Sequence, residues 1–188
     1  MTHPLDFLNK APRAEAVAMI APLVERSDWV GEATVDARPF DSDEALAEAL
    51  VEKILAADAS QRLEMFKVHP ELAGREALEG SMTEDSQSEQ GRLGLLDVAP
   101  EDMARLRQLN ADYRARFGHP FIIALHRVAD LPSLFATFDR RLGATPIEEH
   151  TTTLAEIASV IRARTARAYG PTVKIIEPYP FIPTETLE

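Results

Sequence analysis

The sequence predicts an all-α fold, and three observations carry the prediction. Apolar residues recur at three- and four-residue spacing along most of the chain. Proline and glycine punctuate it where helices start and stop, and only one short apolar run is open to a strand reading. The expected architecture is a single-domain compact multi-helix bundle over residues 1–170, followed by an extended Pro-containing tail over 171–188. With 188 residues, 45% of them hydrophobic, the chain is long and apolar enough to bury a core and is not disordered by composition.

Taken in order, Val17, Ile20, Leu23 and Val24 keep the spacing of an amphipathic helix. Leu46, Leu50, Ile54 and Leu55 repeat it, and Asp41-x-x-Glu44 just ahead resembles a capping box. Leu63 and Phe66 mark a shorter helix leading into His69-Pro70. Proline disfavours α backbone in the residue before it, so His69 is expected at that helix's C-terminal edge, where a side chain can point into a cleft. Pro100-Glu101-Asp102 opens a helix with proline in its first turn and acids at the positive dipole end. Met103, Leu106, Leu109, Asn110, Tyr113 and Phe117 carry it to Gly118, a natural stop. The run Phe121-Ile122-Ile123-Ala124-Leu125 is either a buried strand-like stretch or the start of a helix. Asp130 caps a segment with Leu134, Phe135, Phe138 and Leu142 inward, ending at Gly143. Thr145-Pro146-Ile147-Glu148 joins a capping box to proline at the first helical position. It opens the longest helical pattern, weakened locally by Thr151-Thr152-Thr153 and ended near Tyr169 by Gly170-Pro171. Beyond it, Pro178, Pro180 and Pro183 call for extended chain, with Pro180-Phe181-Ile182-Pro183 read as a packed strap.

Composition narrows the function classes. The formal charge of −11, from 20 Lys+Arg against 31 Asp+Glu, disfavours nucleic acid as a partner. An anionic substrate must then be met by individually placed cations. The absence of cysteine removes disulfides, thiol nucleophiles and Cys-based metal centres, and fits a cytoplasmic setting. The first residues show neither a basic nor a long apolar region, so no secretory signal is expected. No apolar run approaches the roughly 18 residues that span a bilayer.

Among candidate functional groups, His69 offers the side chain whose ordinary pKa lies closest to neutrality. His3-Pro4 and His119-Pro120 repeat its dipeptide, so the histidine alone is unremarkable. Its neighbourhood distinguishes it. Ser86, Glu89 and Gln90 stand at i, i+3 and i+4, which on a helix forms one polar face suited to a small, hydrogen-bond-rich molecule. Ser86-x-x-Glu89 is also readable as a capping box, unless Thr83 or Ser81 takes the cap. Arg162, Arg164 and Arg167 suit a helix C-terminus as cations, and one of them could clamp a carboxylate bidentately. Glu148-Glu149-His150 reads as a solvated helix face. No metal-ligand spacing, phosphate-cradling glycine loop or nucleophile elbow is present, so acid–base and hydrogen-bonding groups remain as the chemistry.

Ordered motifs then resemble a known family. They are His69-Pro70-Glu71-Leu72-Ala73-Gly74, Met82-Thr83-x-x-Ser86-x-x-Glu89-Gln90, and Leu109-Asn110-x-x-Tyr113-x-x-x-Phe117-Gly118-x-Pro120-Phe121-Ile122. Leu8-Asn9, Ser27-x-Trp29-Val30, Arg38-Pro39-Phe40 and Leu154-x-Glu156-Ile157 with Arg164 follow the same order. Together they resemble 2-oxo-4-hydroxy-4-carboxy-5-ureidoimidazoline (OHCU) decarboxylase over residues from about 5 to 168. The resemblance implies an all-α homodimer without metal or organic cofactor. It also implies decarboxylation of a small ureidoimidazoline to (S)-allantoin in urate breakdown. By position it makes His69 the catalytic histidine and Glu89 a substrate contact, with Arg164 meeting the substrate's anionic end; His69 and Glu89 are expected to manage proton transfer together. It makes Pro70, Ser86 and Gln90 substrate contacts, together with the Ile122-Ile123-Ala124-Leu125 backbone.

Two departures accompany the match. His126 and Arg127 follow the apolar run where the family continues with a basic residue and a glycine-containing turn, and Thr165 replaces a leucine. His126 and Arg127 could reshape the pocket rim and with it the substrate taken. The alternatives to the family's reaction are a catalytically silent helical binding protein and a decarboxylase of a related ureido or imidazoline substrate.

Overall fold

The computed structural model describes residues 3–95 and 97–171, so the expected tail over 172–188 lies outside the described residues. Among the described residues there are α-helices and 3-10 turns and no strand. The helices are α1 Pro4–Lys10, α2 Arg13–Ile20, α3 Asp28–Thr34, α4 Asp43–Ala56, α5 Ala59–Lys67, α6 Arg75–Glu79, α7 Glu84–Arg92, α8 Pro100–Phe117, α9 Leu131–Leu142 and α10 Pro146–Tyr169. None is long and apolar enough to cross a membrane.

Most expected boundaries hold for the expected reasons. Thr145 and Glu148 form the reciprocal capping box of α10, with Pro146 at its first position. The Asp130 side chain accepts from Ser133 N at 2.8 Å and starts α9. Gly118 stops α8 at φ 79, a left-handed conformation that glycine adopts without steric cost.

Other details differ. Val17 to Val24 is not one helix: α2 ends at Ile20, a 3-10 turn covers Ala21–Leu23, and Val24 is extended. Pro22 has no N–H to continue the ladder. The cap of α4 is Ser42, whose Oγ accepts from Ala45 N at 3.1 Å, so the Asp41 box does not form. Leu55 faces solvent, 53% exposed. The Thr151-Thr152-Thr153 run stays helical, because the first two hydroxyls bond back to the carbonyls of Ile147 and Glu148 and Thr153 is buried. Helix α1 is one that the apolar spacing does not announce; its start is His3, whose Nδ1 accepts from Leu5 N.

The largest correction concerns Glu148-Glu149-His150. Glu149 is not solvated; it is 1% exposed. It lies on the stripe Glu149, Thr153, Ile157, Ile161 and Arg164 that α10 turns inward. Its Oε1 accepts from Arg141 Nε at 2.9 Å and from the Tyr113 hydroxyl, and Arg141 is equally buried. Arg141 Nη1 continues to the carbonyl of Ile122 at 2.7 Å, and its guanidinium lies over the Phe121 ring, 4.4 Å from the centroid.

Two buried clusters form the core. One gathers Leu8, Ile20, Val30, Leu46, Leu50, Phe66, Ile157 and Ile161 from the N-terminal helices and α10. The other gathers Leu95, Leu106, Tyr113, Phe121, Leu134 and Phe138 around α8 and α9. Each fully buried large side chain contributes about 1.5–3 kcal/mol. The seam between the clusters, where α10 crosses the Phe121–Leu125 run, carries a cavity.

Candidate active site

His69 follows α5, with its N–H on the carbonyl of Phe66 at 3.3 Å. Its Nδ1 lies 2.8 Å from the carbonyl of Met65. A carbonyl only accepts, so Nδ1 carries the proton and Nε2 presents a lone pair. Burial lowers the ring's pKa to about 4, helped by the charge of Arg164 and opposed by the Met65 carbonyl and Glu25. His69 is therefore neutral near pH 7.

The loop behind Pro70 is held from two helices. Gln90 Oε1 accepts from Ala73 N at 2.8 Å, and Gln90 Nε2 donates to the carbonyl of Glu71 at 3.3 Å. Asn110 Nδ2 donates to the carbonyl of Leu72 at 2.9 Å. The turn has no room for a side chain at Gly74, where a Cβ would meet Glu71 Cβ at 2.6 Å.

Helix α7 resolves the ambiguity at Ser86. The cap is Thr83, whose Oγ1 accepts from Ser86 N at 3.3 Å. The Ser86 hydroxyl is thereby free to donate to Glu25 Oε2 at 2.8 Å. Glu25, 5% exposed, was not singled out by the sequence reasoning. It is far from α7 in sequence and outside any helical pattern. Its one available signal is its place after Leu23-Val24 and before Ser27-x-Trp29-Val30. Burial pushes its carboxyl upward, but the Ser86 hydroxyl, the charge of Arg164 and the Thr83 hydroxyl outweigh that and hold it below the usual range.

Arg164 joins the two carboxylates. Its Nε and Nη2 donate to the two oxygens of Glu89, each at 2.9 Å. Its Nη1 donates to Glu25 Oε2 at 3.2 Å and faces the carbonyl of Pro22 at 3.5 Å, while Nη2 also reaches Ser86 Oγ at 3.4 Å. The guanidinium is 3% exposed with all five N–H groups directed at protein acceptors. Burial opposes its charge, and Glu89, Glu25 and Asp85 more than restore it.

The Phe121–Leu125 run is neither strand nor helix. It has no regular secondary structure until a 3-10 turn at Leu125–Arg127. Side chains fix it instead. Besides Arg141 on Ile122 O, Glu156 Oε2 accepts from Ala124 N at 2.8 Å, and Arg92 donates to the carbonyls of Leu125 and Val128. Ile123 keeps both backbone polar groups without a protein partner among the described residues.

These parts line a cleft that is partly open to solvent, with room for about 50 Å³ of water-sized centres. His69, Pro70, Ser86, Glu89, Gln90, Ile122, Ile123, Leu125 and Arg164 all line it, and Glu25 joins them. Ala124 does not line it; it is fully buried with its N–H committed to Glu156. His126 and Arg127 are not in the wall either: His126 Nε2 lies 3.3 Å from Ser159 Oγ, and Arg127 4.0 Å from Glu156. Among the described residues no group of three or more carboxylates or histidines is placed to hold a metal ion.

The family model described as OHCU decarboxylase matches residues 9–166. The chain belongs to this family. Among its relatives, the 2-oxo-4-hydroxy-4-carboxy-5-ureidoimidazoline decarboxylase of Mus musculus is 34% identical over 163 residues, covering 87% of this chain and 91% of the mouse protein. The fold also matches solved structures of the OHCU decarboxylase type. An (S)-allantoin synthase superposes with a TM-score of 0.69 at 23% identity, over 87% of this chain and 53% of that one. An OHCU decarboxylase crystallised in the presence of (S)-allantoin superposes with a TM-score of 0.64 at 17% identity, over 79% of this chain and 96% of that one.

Proposed function

We propose that the protein decarboxylates 2-oxo-4-hydroxy-4-carboxy-5-ureidoimidazoline to (S)-allantoin in urate breakdown. The observation that carries this reading is one cavity, in a member of the OHCU decarboxylase family, where a neutral imidazole with an open Nε2 meets two carboxylates and a buried guanidinium. The C–CO2 bond breaks, and its electron pair enters the adjacent ring system, leaving an enol at the hydroxyl-bearing carbon. One proton from water neutralises the charge on nitrogen. His69 Nε2 takes the enol proton and returns it to the ureido-bearing carbon on one face. Donors fixed before reaction stabilise the transient charge. Arg164 holds Glu89 and Glu25 in register, Gln90 and Pro70 shape the loop that carries His69, and the unpaired backbone of Ile123 serves the ring or ureido group.

Circular dichroism of freshly generated substrate tests the reading. With protein, the (S)-allantoin signal is expected to rise far ahead of the spontaneous reaction. Equal rates with and without protein defeat the assignment and favour a silent binding protein of the same fold. The reading includes a homodimer in a cytoplasmic setting, supported by the motif resemblance and the absence of cysteine. Sedimentation equilibrium measures the assembly.

The lowered pKa of His69 adds a pH prediction. A base is active when unprotonated, so activity is lost as pH falls through its own pKa. The acid limb of kcat/KM is expected near pH 4, with full activity retained through pH 6.5. A limb centred at 6.5 would show that the essential base is not a buried His69.

A further inference from the structure

The cavity wall carries an unbalanced charge. Among the described residues its ionisable lining groups are Glu25, His69, Glu89 and Arg164. With His69 neutral, the wall holds two carboxylates and one guanidinium, so it is negative by one unit. Glu89 is matched to Arg164 in a bidentate pair at 2.9 Å. Glu25 is not matched in this way. It receives one N–H of Arg164 at 3.2 Å and is otherwise held by the hydroxyls of Ser86 at 2.8 Å and Thr83 at 2.9 Å. Arg26 Nε stands 3.9 Å from Glu25, but Arg26 is itself paired with Glu76. Hydroxyl donors stabilise a carboxylate without cancelling its charge. The remaining lining is largely apolar, including Leu23, Val24, Leu72, Phe121 and Ile157, and such a wall screens charge poorly.

We propose that Glu25 is the unneutralised charge of the site, and that it drives the reaction by repelling the substrate's carboxylate. The proposal rests on the decarboxylase reading. The substrate enters as an anion, and every N–H of Arg164, the one lining cation among the described residues, is already directed at protein acceptors. Its carboxylate therefore sits beside excess negative charge. When the C–CO2 bond breaks, CO2 leaves uncharged, the electron pair moves into the ring, and a proton from water quenches it. The repulsion is relieved as the reaction proceeds. Glu25 forms no bond and exchanges no proton.

The signature is a particular pairing of kinetic constants. Removing ground-state repulsion lowers kcat and KM together, whereas removing a binding contact raises KM. Glu25→Gln keeps the side chain's shape and loses its charge. It is expected to lower kcat by roughly tenfold or more and to lower KM as well. Glu25→Asp keeps the charge and is expected to restore a KM close to wild type. Calorimetry on the wild-type protein supplies a test that needs no variant. Anionic allantoate is expected to bind about tenfold or more weakly than neutral (S)-allantoin. A kcat loss with unchanged or raised KM, or allantoate binding as tightly as allantoin, overturns the proposal. Wild-type protein that does not accelerate the decarboxylation overturns the functional reading itself, which separates the two failures.

Discussion

Replacing His69 with alanine is expected to reduce kcat/KM by about 10²–10⁴-fold, the usual range for losing a positioned acid–base group. The change removes the Nε2 lone pair from a cavity whose other walls are carboxylates, a guanidinium, the Ser86 hydroxyl, the Gln90 amide and apolar side chains. It should leave the fold in place, because among the described residues the His69 side chain makes one hydrogen bond, to the carbonyl of Met65. Circular dichroism before and after the activity assay checks that the helices persist. Full activity in the variant would remove His69 from the mechanism.

The same variant carries a thermodynamic signature with a defined sign. In the folded protein His69 has a lowered pKa, about 4 against an ordinary 6.5. Between those values the unfolded chain binds a proton that the native state does not. Stability then rises with pH across the window and is lost as pH falls from 6.5 toward 4. Urea midpoints measured across that window should fall less steeply with acid in the His69→Ala protein. Some slope remains, because burial also lowers the pKa of His119. Identical slopes in the two proteins would mean that His69 is not held neutral by the fold.

The second large effect is expected far from the reacting atoms. Arg141→Met is expected to cost about 3–5 kcal/mol, because it strands a buried Glu149 carboxylate. The pair is 1% exposed on both sides, so water cannot replace the lost partner. Glu149 Oε2 already lacks a hydrogen-bond partner among the described residues, so only the neutral hydroxyls of Tyr113 and Thr153, both on Oε1, remain to hold the carboxylate. Replacing both members, as Arg141→Met with Glu149→Leu, should recover much of the loss, since an apolar pair of similar volume removes the charge altogether. Urea unfolding of the two single variants and the double variant gives the coupling. A single-variant cost below about 1 kcal/mol would mean that the pair contributes no more than an exposed ion pair. The double variant should still show weaker substrate binding, because Arg141 also holds the carbonyl of Ile122 in the cavity wall.

Particular residues show how far the sequence can be read. Local rules placed the caps at Thr145 and Asp130 and the stop at Gly118, because a cap involves only a few neighbouring backbone groups. The spacing of Ser86, Glu89 and Gln90 correctly put them on one helix. It did not assign their separate tasks: Ser86 to Glu25, Glu89 to Arg164, and Gln90 to the loop behind His69. Glu149, a charged residue in an acidic run, reads locally as solvated, although its four-residue steps to Thr153, Ile157 and Ile161 put it on the inward stripe. A charged side chain suggests solvent until its buried partner is known, and Arg141 belongs to a different helix.

By itself, the sequence determined the helical class, most helix ends, the family and the order of the lining residues. These follow from periodicity, capping and motifs, which act over a few residues or survive as ordered patterns. The tertiary structure alone decided that Glu25 closes the site, that Arg164 is shared between two carboxylates, and that His69 is held neutral. Each of those depends on distances between groups as much as 139 positions apart and on the water excluded from between them. Charge, burial and proton affinity arise from that packing, and no local pattern encodes them.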